Sequence, residues 1–330
     1  MTRARPRVVY TDVSDLDPRA GIELLESTGF DVVVLQDASD DDIRRAAADA
    51  VAIVCGYHSI GAGILDAAPS VGVVATLSVG FDMVDIDAAD RLGIRVCNVP
   101  AHATEEVATH ALALLLALER NIVPTAATVA AGVWDAVGYG APRRLSSLTL
   151  GIAGFGRIGQ AFHERASGLF DRTLLYDPLA SRRPVEGADW VGLDDLLAQS
   201  DVVSLHVPAT PETYRMLSPE RLASVKVGVS IINVSRGSLI DSAALLRGLE
   251  DGRIRSAGLD VTDPEPPAVD DPLLRHPRVI ATPHVAFASR ATLREYALAP
   301  ARAILAWWTG DESEQMVNRP GHPRRPGGVE

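Results

Sequence analysis

The stretch that decides the fold is "LTLGIAGFGRIGQAF", residues 148–162. Its first half is an apolar run that reads as a strand entering a sheet, and its second half has the apolar spacing of a helix. Between them stand Gly154, Gly156 and Gly159, spaced G-x-G-x-x-G. Three glycines alone mean little in a chain rich in Gly and Ala. Their setting is informative: a strand leads in, a helix leads out, and a second apolar run, "RTLLYD", ends on Asp177, eighteen positions past Gly159. Together these form the fingerprint of a turn that binds a dinucleotide. Gly154 permits the tight turn, Gly156 lets a pyrophosphate approach the backbone, and Gly159 lets helix and strand pack closely. The helix opens at Arg157 and Ile158 with unpaired N–H groups and a partial positive charge for the phosphates. Asp177 is expected to accept hydrogen bonds from the adenosine ribose and to repel a 2′-phosphate, which predicts NAD over NADP. Arg182 and Arg183, a few residues on, argue the other way.

Outward from this motif the chain alternates between strand and helix patterns in both directions. "RVVYTD" (7–12), "DVVVLQ" (31–36), "VAIVCG" (51–56) and "VGVVATLS" (71–78) read as strands separated by helical segments, and "DIDAADRLGIRVCNVP" continues the pattern. Strand then helix, repeated, predicts a parallel sheet covered on both faces. "TEEVATHALALLLALERNI" (104–122) predicts one long buried helix with an acidic first turn, followed by a further helix and a Gly/Ala-rich loop. A second series supplies six strands, "LTLGIAG", "RTLLYD", "DVVSLHV", "GVSIINV", "SAGLDV" and "VIAT". At 330 residues two domains are expected. The last helical pattern, 289–310, returns to the first of them, and the Pro-, Gly- and charge-rich tail beyond it is expected to fray.

Composition narrows the function. Lys plus Arg number 31 against 43 Asp plus Glu, a formal charge of −12, which argues against a nucleic-acid partner. The only cysteines, Cys55 and Cys97, lack metal-ligand or redox spacing, so no metal and a reduced, cytoplasmic setting are expected. The N-terminus "MTRARPRVVYTD" has no apolar core of a signal peptide's length before Asp12, and the longest apolar run, 107–118, falls short of a bilayer span, so neither a signal peptide nor a membrane partner is expected.

Ligands of open parallel sheets bind beyond the carboxyl ends of the strands. Three polar residues fall there: Arg236 after "SIINVS", Glu265 in "TDPEPP" after "AGLDV", and His284 in "TPHVAF" after "VIAT". Singly, each reads as a solvated or structural residue. Together, beside a nicotinamide, they suit reduction of a 2-oxo acid. Histidine can donate a proton to the forming oxyanion at neutral pH. A carboxylate orients that imidazole, and an arginine holds the substrate carboxylate through paired hydrogen bonds.

The ordered motifs "GFGRIG", "YDP", "SLHVPATPET", "NVSRGSLID", "LDVTDPEPP" and "TPHVAF" resemble the D-isomer-specific 2-hydroxyacid dehydrogenase family over about residues 5–310. The wording of the long helix is similar to the branch holding C-terminal-binding proteins and phosphoglycerate-dehydrogenase-like enzymes. The resemblance implies an α/β protein of two domains, a Rossmann-type doubly wound sheet (101–289) and a discontinuous, flavodoxin-like substrate domain (1–100 with 290–330). It implies Arg236 as substrate clamp, His284 as acid/base and Glu265 as its partner. Ser78, Val79 and Gly80 are implied to offer backbone N–H groups to a small anionic substrate. Thr104, His206, Val207, Pro208, Thr213, Asn233, Val234, Ser235, Asp260 and His284 are implied to line the cofactor, Asp260 near the nicotinamide carboxamide. The long helix is implied to build a homodimer. Departures from the family pattern are Ser235, which adds a hydroxyl near the nicotinamide, Phe287 after the histidine, and Tyr57 and His58 in a first-domain loop. Specificity is expected around Tyr57, His58, Leu77, Phe287 and the partner subunit's Trp134. Two other readings stay open: oxidation of a phosphorus oxyacid or phosphonate on the same fold, and an NAD-sensing scaffold without turnover.

Overall fold

Runs such as Val73–Thr76, Val202–Leu205 and Val229–Asn233 are buried at every position, which only a strand covered on both faces allows. In the computed structural model, which describes residues 5–13, 16–99, 102–135, 138, 140–179, 183–313 and 315–326, these runs assemble into two parallel sheets. The chain divides into one unit of Met1–Ala103 with Ala288–Glu330 and a second of Thr104–Phe287.

In the first unit β1 (Arg7–Tyr10), β2 (Asp31–Val34), β3 (Ala50–Cys55), β4 (Val73–Thr76) and β5 (Arg95–Cys97) are ordered β2-β1-β3-β4-β5. This is the flavodoxin-like winding. Helices α1 (Arg19–Ser27), α2 (Asp40–Ala47), α3 (Ala62–Asp66) and α4 (Ile86–Leu92) link the strands.

In the second unit α5 (Thr104–Glu119) and α6 (Ile122–Ala130) precede β6 (Thr149–Ala153), α7 (Arg157–Ala166), β7 (Arg172–Tyr176) and β8 (Ala188–Trp190). Then come α8 (Leu193–Gln199), β9 (Val202–Leu205), α9 (Pro219–Ser224), β10 (Val229–Asn233), α10 (Ser242–Glu250), β11 (Ile254–Leu259) and β12 (Val279–Ala281). The sheet order is β12-β11-β10-β9-β6-β7-β8, the dinucleotide-binding order extended by one strand, with the reversal between β6 and β9. Among the described residues this sheet therefore has seven strands, not the six expected. The extra strand, β8, is three residues long with Asp189 at its centre, too short and polar to show a periodicity.

The long helix also differs from expectation. It ends at Glu119, and the chain bends by 64° into α6 at Asn121, whose φ is +53°. Asn tolerates the left-handed region that this bend needs. Helix α5 packs against α7, β10 and β11. Gly258 makes room for it: a Cβ there would stand 3.1 Å from Leu114 Cβ and 3.2 Å from Leu118 Cδ1.

In the first unit α11 (Arg290–Thr309) opens on the Ser289 capping box, ends at Gly310 in the left-handed region, and lies on α1 and β4. The tail is not frayed over 315–326. Asn318 Oδ1 accepts from Val96 N–H at 2.7 Å, and the Arg324 guanidinium donates to the carbonyls of Ala68 and Val71 at 3.0 and 2.7 Å. Its polar composition reflects bonds to strand and helix ends, not solvation.

Candidate active site

The glycine turn joins β6 to α7. Gly154 has φ +96°, and a Cβ on it would lie 2.4 Å from the carbonyl carbon of His206. On Gly159 a Cβ would meet Gly154 O at 2.0 Å, whereas on Gly156 it would point into open space. Two glycines are thus required by packing, and the third leaves room for a ligand. Gly156 caps α7 without any side-chain hydrogen bond, so the first-turn N–H groups at Arg157 and Ile158 meet no capping side chain. This cradle fits a dinucleotide pyrophosphate. Asp177, at the end of β7, accepts from Phe155 N–H and Leu179 N–H, both at 2.8 Å, and so ties the turn to the neighbouring strand. Of the two arginines that follow, Arg182 lies outside the described residues. The carbonyl of Arg183 accepts the Trp190 indole N–H at 2.8 Å, and the Trp190 ring meets the edge of Phe155 at 5.4 Å.

Beyond β9, Val207 is buried and Pro208 exposed; Thr213 Oγ1 donates to Pro208 O at 2.7 Å, closing the loop. His206 packs on Phe162 and contacts Ser204 Oγ through Nε2 at 2.9 Å. Its Nδ1 is buried without a protein partner, and burial pushes the imidazole down to about 3, so it is neutral. Thr104 starts α5 in the same unit.

Beyond β10 the turn 233–237 is braced from within. Asn233 Oδ1 accepts from Ser235 N–H at 3.1 Å, and its Nδ2 donates to Arg236 O at 2.8 Å. The hydroxyl of Ser235 donates to Leu205 O at 2.8 Å, pinning the β10 turn to β9. Val234 is buried and Arg236 is extended, with its guanidinium on Ser235 O at 2.8 Å. Gly237 follows because a Cβ there would stand 2.0 Å from the carbonyl of Thr262. Close approach of the β10 and β11 loops, not the turn itself, demands glycine.

Beyond β11, Glu265 Oε1 accepts from Thr262 N–H at 2.8 Å and Oε2 lies 2.8 Å from His284 Nδ1. Burial raises the Glu265 carboxyl, but the hydrogen bond and charge of His284, the Thr262 N–H and the charge of Arg236 outweigh it and hold the group below its ordinary value. The three residues therefore share one electrostatic environment. With Nδ1 turned to the carboxylate, Nε2 is the end of the imidazole able to carry a transferable proton. Phe287 presents its ring to that of His284, centroids 6.5 Å apart. The Asp260 side chain is fully buried, and both oxygens accept from the His284 turn.

In the first unit the 78–80 segment is braced by side chains. The carbonyls of Ser78, Val79 and Gly80 are taken by Thr76 Oγ1, Asn98 Nδ2 and Ser78 Oγ at 2.7–2.8 Å, which aims the intervening N–H groups the other way. Asp12 accepts from the N–H groups of Gly56, Tyr57 and His58, and His58 Nε2 lies 2.9 Å from Asp40 Oδ1. Sequence reasoning did not single out Asp12, Asn98, Trp190 or Thr262. Asp12, Asn98 and Trp190 act through side chains that hold backbone and Thr262 through its own N–H, which leaves no periodic trace. Among the described residues no group of three or more His, Cys, Asp and Glu could hold a metal ion, and no single helix is long and apolar enough to cross a membrane.

A sheet wound in this order behind a glycine-rich turn defines a dinucleotide-binding domain. The family model for the D-isomer-specific 2-hydroxyacid dehydrogenase NAD-binding domain matches residues 112–286. A glyoxylate reductase of Thermofilum pendens is 35% identical over 328 residues, 96% of this chain and 95% of that one. The crystal structure of D-lactate dehydrogenase from Aquifex aeolicus, complexed with NAD and lactic acid, is similar with a TM-score of 0.86 and 29% identity, covering 95% of this chain and 100% of that one. An NADPH-dependent glyoxylate/hydroxypyruvate reductase of Sinorhizobium meliloti, in complex with NADP and malonate, gives 0.87 and 30%, covering 98% and 99%. The chain belongs to the D-isomer-specific 2-hydroxyacid dehydrogenase family, and it is an enzyme of that family.

Proposed function

We propose that the protein reduces a small 2-oxo acid to the D-2-hydroxy acid, with NADH as hydride donor. The observation that carries this reading is the His284–Glu265 pair, 2.8 Å apart, within the field of Arg236. When bound, the reduced nicotinamide supplies the hydride. Arg236 holds the substrate carboxylate by paired hydrogen bonds and polarises the adjacent carbonyl. The Ser78, Val79 and Gly80 amides are further donors to the substrate's anionic group. His284 gives its Nε2 proton to the carbonyl oxygen as negative charge develops, and Glu265 keeps the ring oriented and stabilises its protonated form. Asp177 at the ribose end favours NADH over NADPH.

A second copy of the chain is assigned to the apolar face around α6, where Ile122, Val123, Val129 and Val133 are about half exposed and Trp134 is 90% exposed. Light scattering on the purified protein is expected to give a dimer. A monomer at micromolar concentration would reject this assignment.

The test of the reaction is NADH oxidation with glyoxylate, hydroxypyruvate, pyruvate, phenylpyruvate and branched 2-oxo acids. His284→Ala is expected to lower kcat by about a hundredfold or more on any substrate turned over, with NADH binding retained. Binding of NADH without turnover across the panel would overturn the reading.

A further inference from the structure

His284 has φ +53°, a backbone conformation that a residue with a Cβ seldom holds unaided. Its N–H lies 2.8 Å from Asp260 O and 3.0 Å from Thr282 O. The next two N–H groups, of Val285 and Ala286, donate to the Asp260 carboxylate at 3.0 and 2.9 Å. Thr282 Oγ1 gives its one proton to Asp260 Oδ1 at 2.5 Å. That hydroxyl can then only accept, and His110 Nε2 stands 2.9 Å from it, so Nε2 carries the hydrogen. The same nitrogen lies 3.5 Å from Asp260 Oδ1.

The position of His110 follows from the helix. His110, Leu114 and Leu118 recur every four residues and share one face of α5. Leu114 and Leu118 rest over Gly258 within β11. One turn before Leu114, the helix reaches the chain just past the ends of β11 and β12, where Asp260 and Thr282 stand. A packed helix thereby braces a turn that is otherwise a loop.

We propose that His110 is a positioning residue for His284, acting through Thr282 and Asp260. The proposal rests on the acid/base role given to His284 above. Loss of the His110 donor leaves Thr282 and the Asp260 carboxylate with one fewer restraint. The turn can then relax from its left-handed conformation, and Nε2 of His284 drifts from the line of proton transfer.

The experiment compares kcat, KM, NADH affinity and Tm for His110→Ala, His110→Gln, Thr282→Val, the His110→Ala/Thr282→Val double variant and His284→Ala. Glutamine can present an N–H near the place of Nε2. His110→Ala is expected to lower kcat by about ten- to a hundredfold, the scale of a misplaced catalytic group, with NADH affinity and Tm little changed. His110→Gln recovers most of the loss, and the double variant is no worse than the poorer single one. Near-normal kcat in His110→Ala, equal damage from Ala and Gln, additive losses in the double variant, or a kcat loss that tracks Tm and NADH binding would each overturn the proposal. If His284→Ala is inactive while His110→Ala is normal, only the positioning role falls. Normal turnover by His284→Ala removes the acid/base reading as well.

Discussion

Gly237→Ala places one methyl group where the structure has no room for it. The added carbon would lie 2.0 Å from both the carbonyl carbon and oxygen of Thr262 and 2.5 Å from Asp263 N. Ordinary contacts between such atoms are about 3.5 Å, so the two loops must part by more than about 1 Å. Neither side yields cheaply, because both are backbone: the β10 loop is braced by Asn233 and Ser235, and Thr262 N–H is bonded to Glu265. The displacement falls between Arg236 on one loop and Glu265, the hydrogen-bond partner of His284, on the other. A misplacement of about 1 Å at reacting groups costs roughly a hundredfold in rate, about 2.7 kcal/mol of transition-state stabilisation. Overpacking of this kind also destabilises the fold by about 1–3 kcal/mol. Steady-state NADH oxidation is expected to show kcat/KM reduced on that scale, with a measurable fall in Tm and NADH affinity largely kept. Gly168→Ala, where a Cβ meets nothing within 4 Å, serves as the control. If Gly237→Ala had wild-type kcat/KM and Tm, the close approach of the two loops would not be what the glycine is for.

Arg236→Lys keeps the charge and loses the paired geometry, so KM for the 2-oxo acid rises, kcat falls, and kcat/KM drops by about tenfold or more; initial-rate kinetics check this, and an unchanged KM would count against a carboxylate clamp. Asp177→Ala is expected to weaken NADH and to narrow its advantage over NADPH, measured as the ratio of kcat/KM for the two cofactors; a ratio unmoved by the substitution would remove Asp177 from cofactor choice. His206 makes stability pH-dependent. Its folded imidazole titrates at about 3, against about 6.5 for an unfolded histidine. Below about pH 6.5 the unfolded chain therefore takes up a proton that the folded one refuses, and stability falls by about 1.4 kcal/mol per pH unit from this residue until the folded value is reached. Urea titrations between pH 4 and 8 are expected to show a shallower acid loss in His206→Asn than in the parent, and equal slopes would contradict the burial argument.

Much of the fold was legible because it is written in local patterns. Buried parallel strands need unbroken apolar runs, and the helices between them need a period near four, so every strand of the two sheets but β8 followed from the hydrophobic pattern. The glycine turn was legible because its geometry forbids side chains at Gly154 and Gly159, a restriction that the sequence carries openly. Arg236, Glu265 and His284 could be singled out because each follows a strand, and parallel strands expose their carboxyl ends on one rim. Strand β8 was not legible, since three residues with a central aspartate carry no period. Nor was the order in the tail, where polar residues that look solvated are spent on Val96, Ala68 and Val71.

The amino-acid sequence by itself determined two wound parallel sheets, a dinucleotide turn and the residue types able to move a proton beside it. Only the tertiary structure decided what those residues do to one another. Gly237 turned out to answer to Thr262, the Ser235 hydroxyl to Leu205, and His110 to a threonine 172 positions away. The reason is physical: periodicity reports which face of an element is buried, whereas hydrogen bonds between loops depend on distances set only when strands far apart in the chain lie side by side.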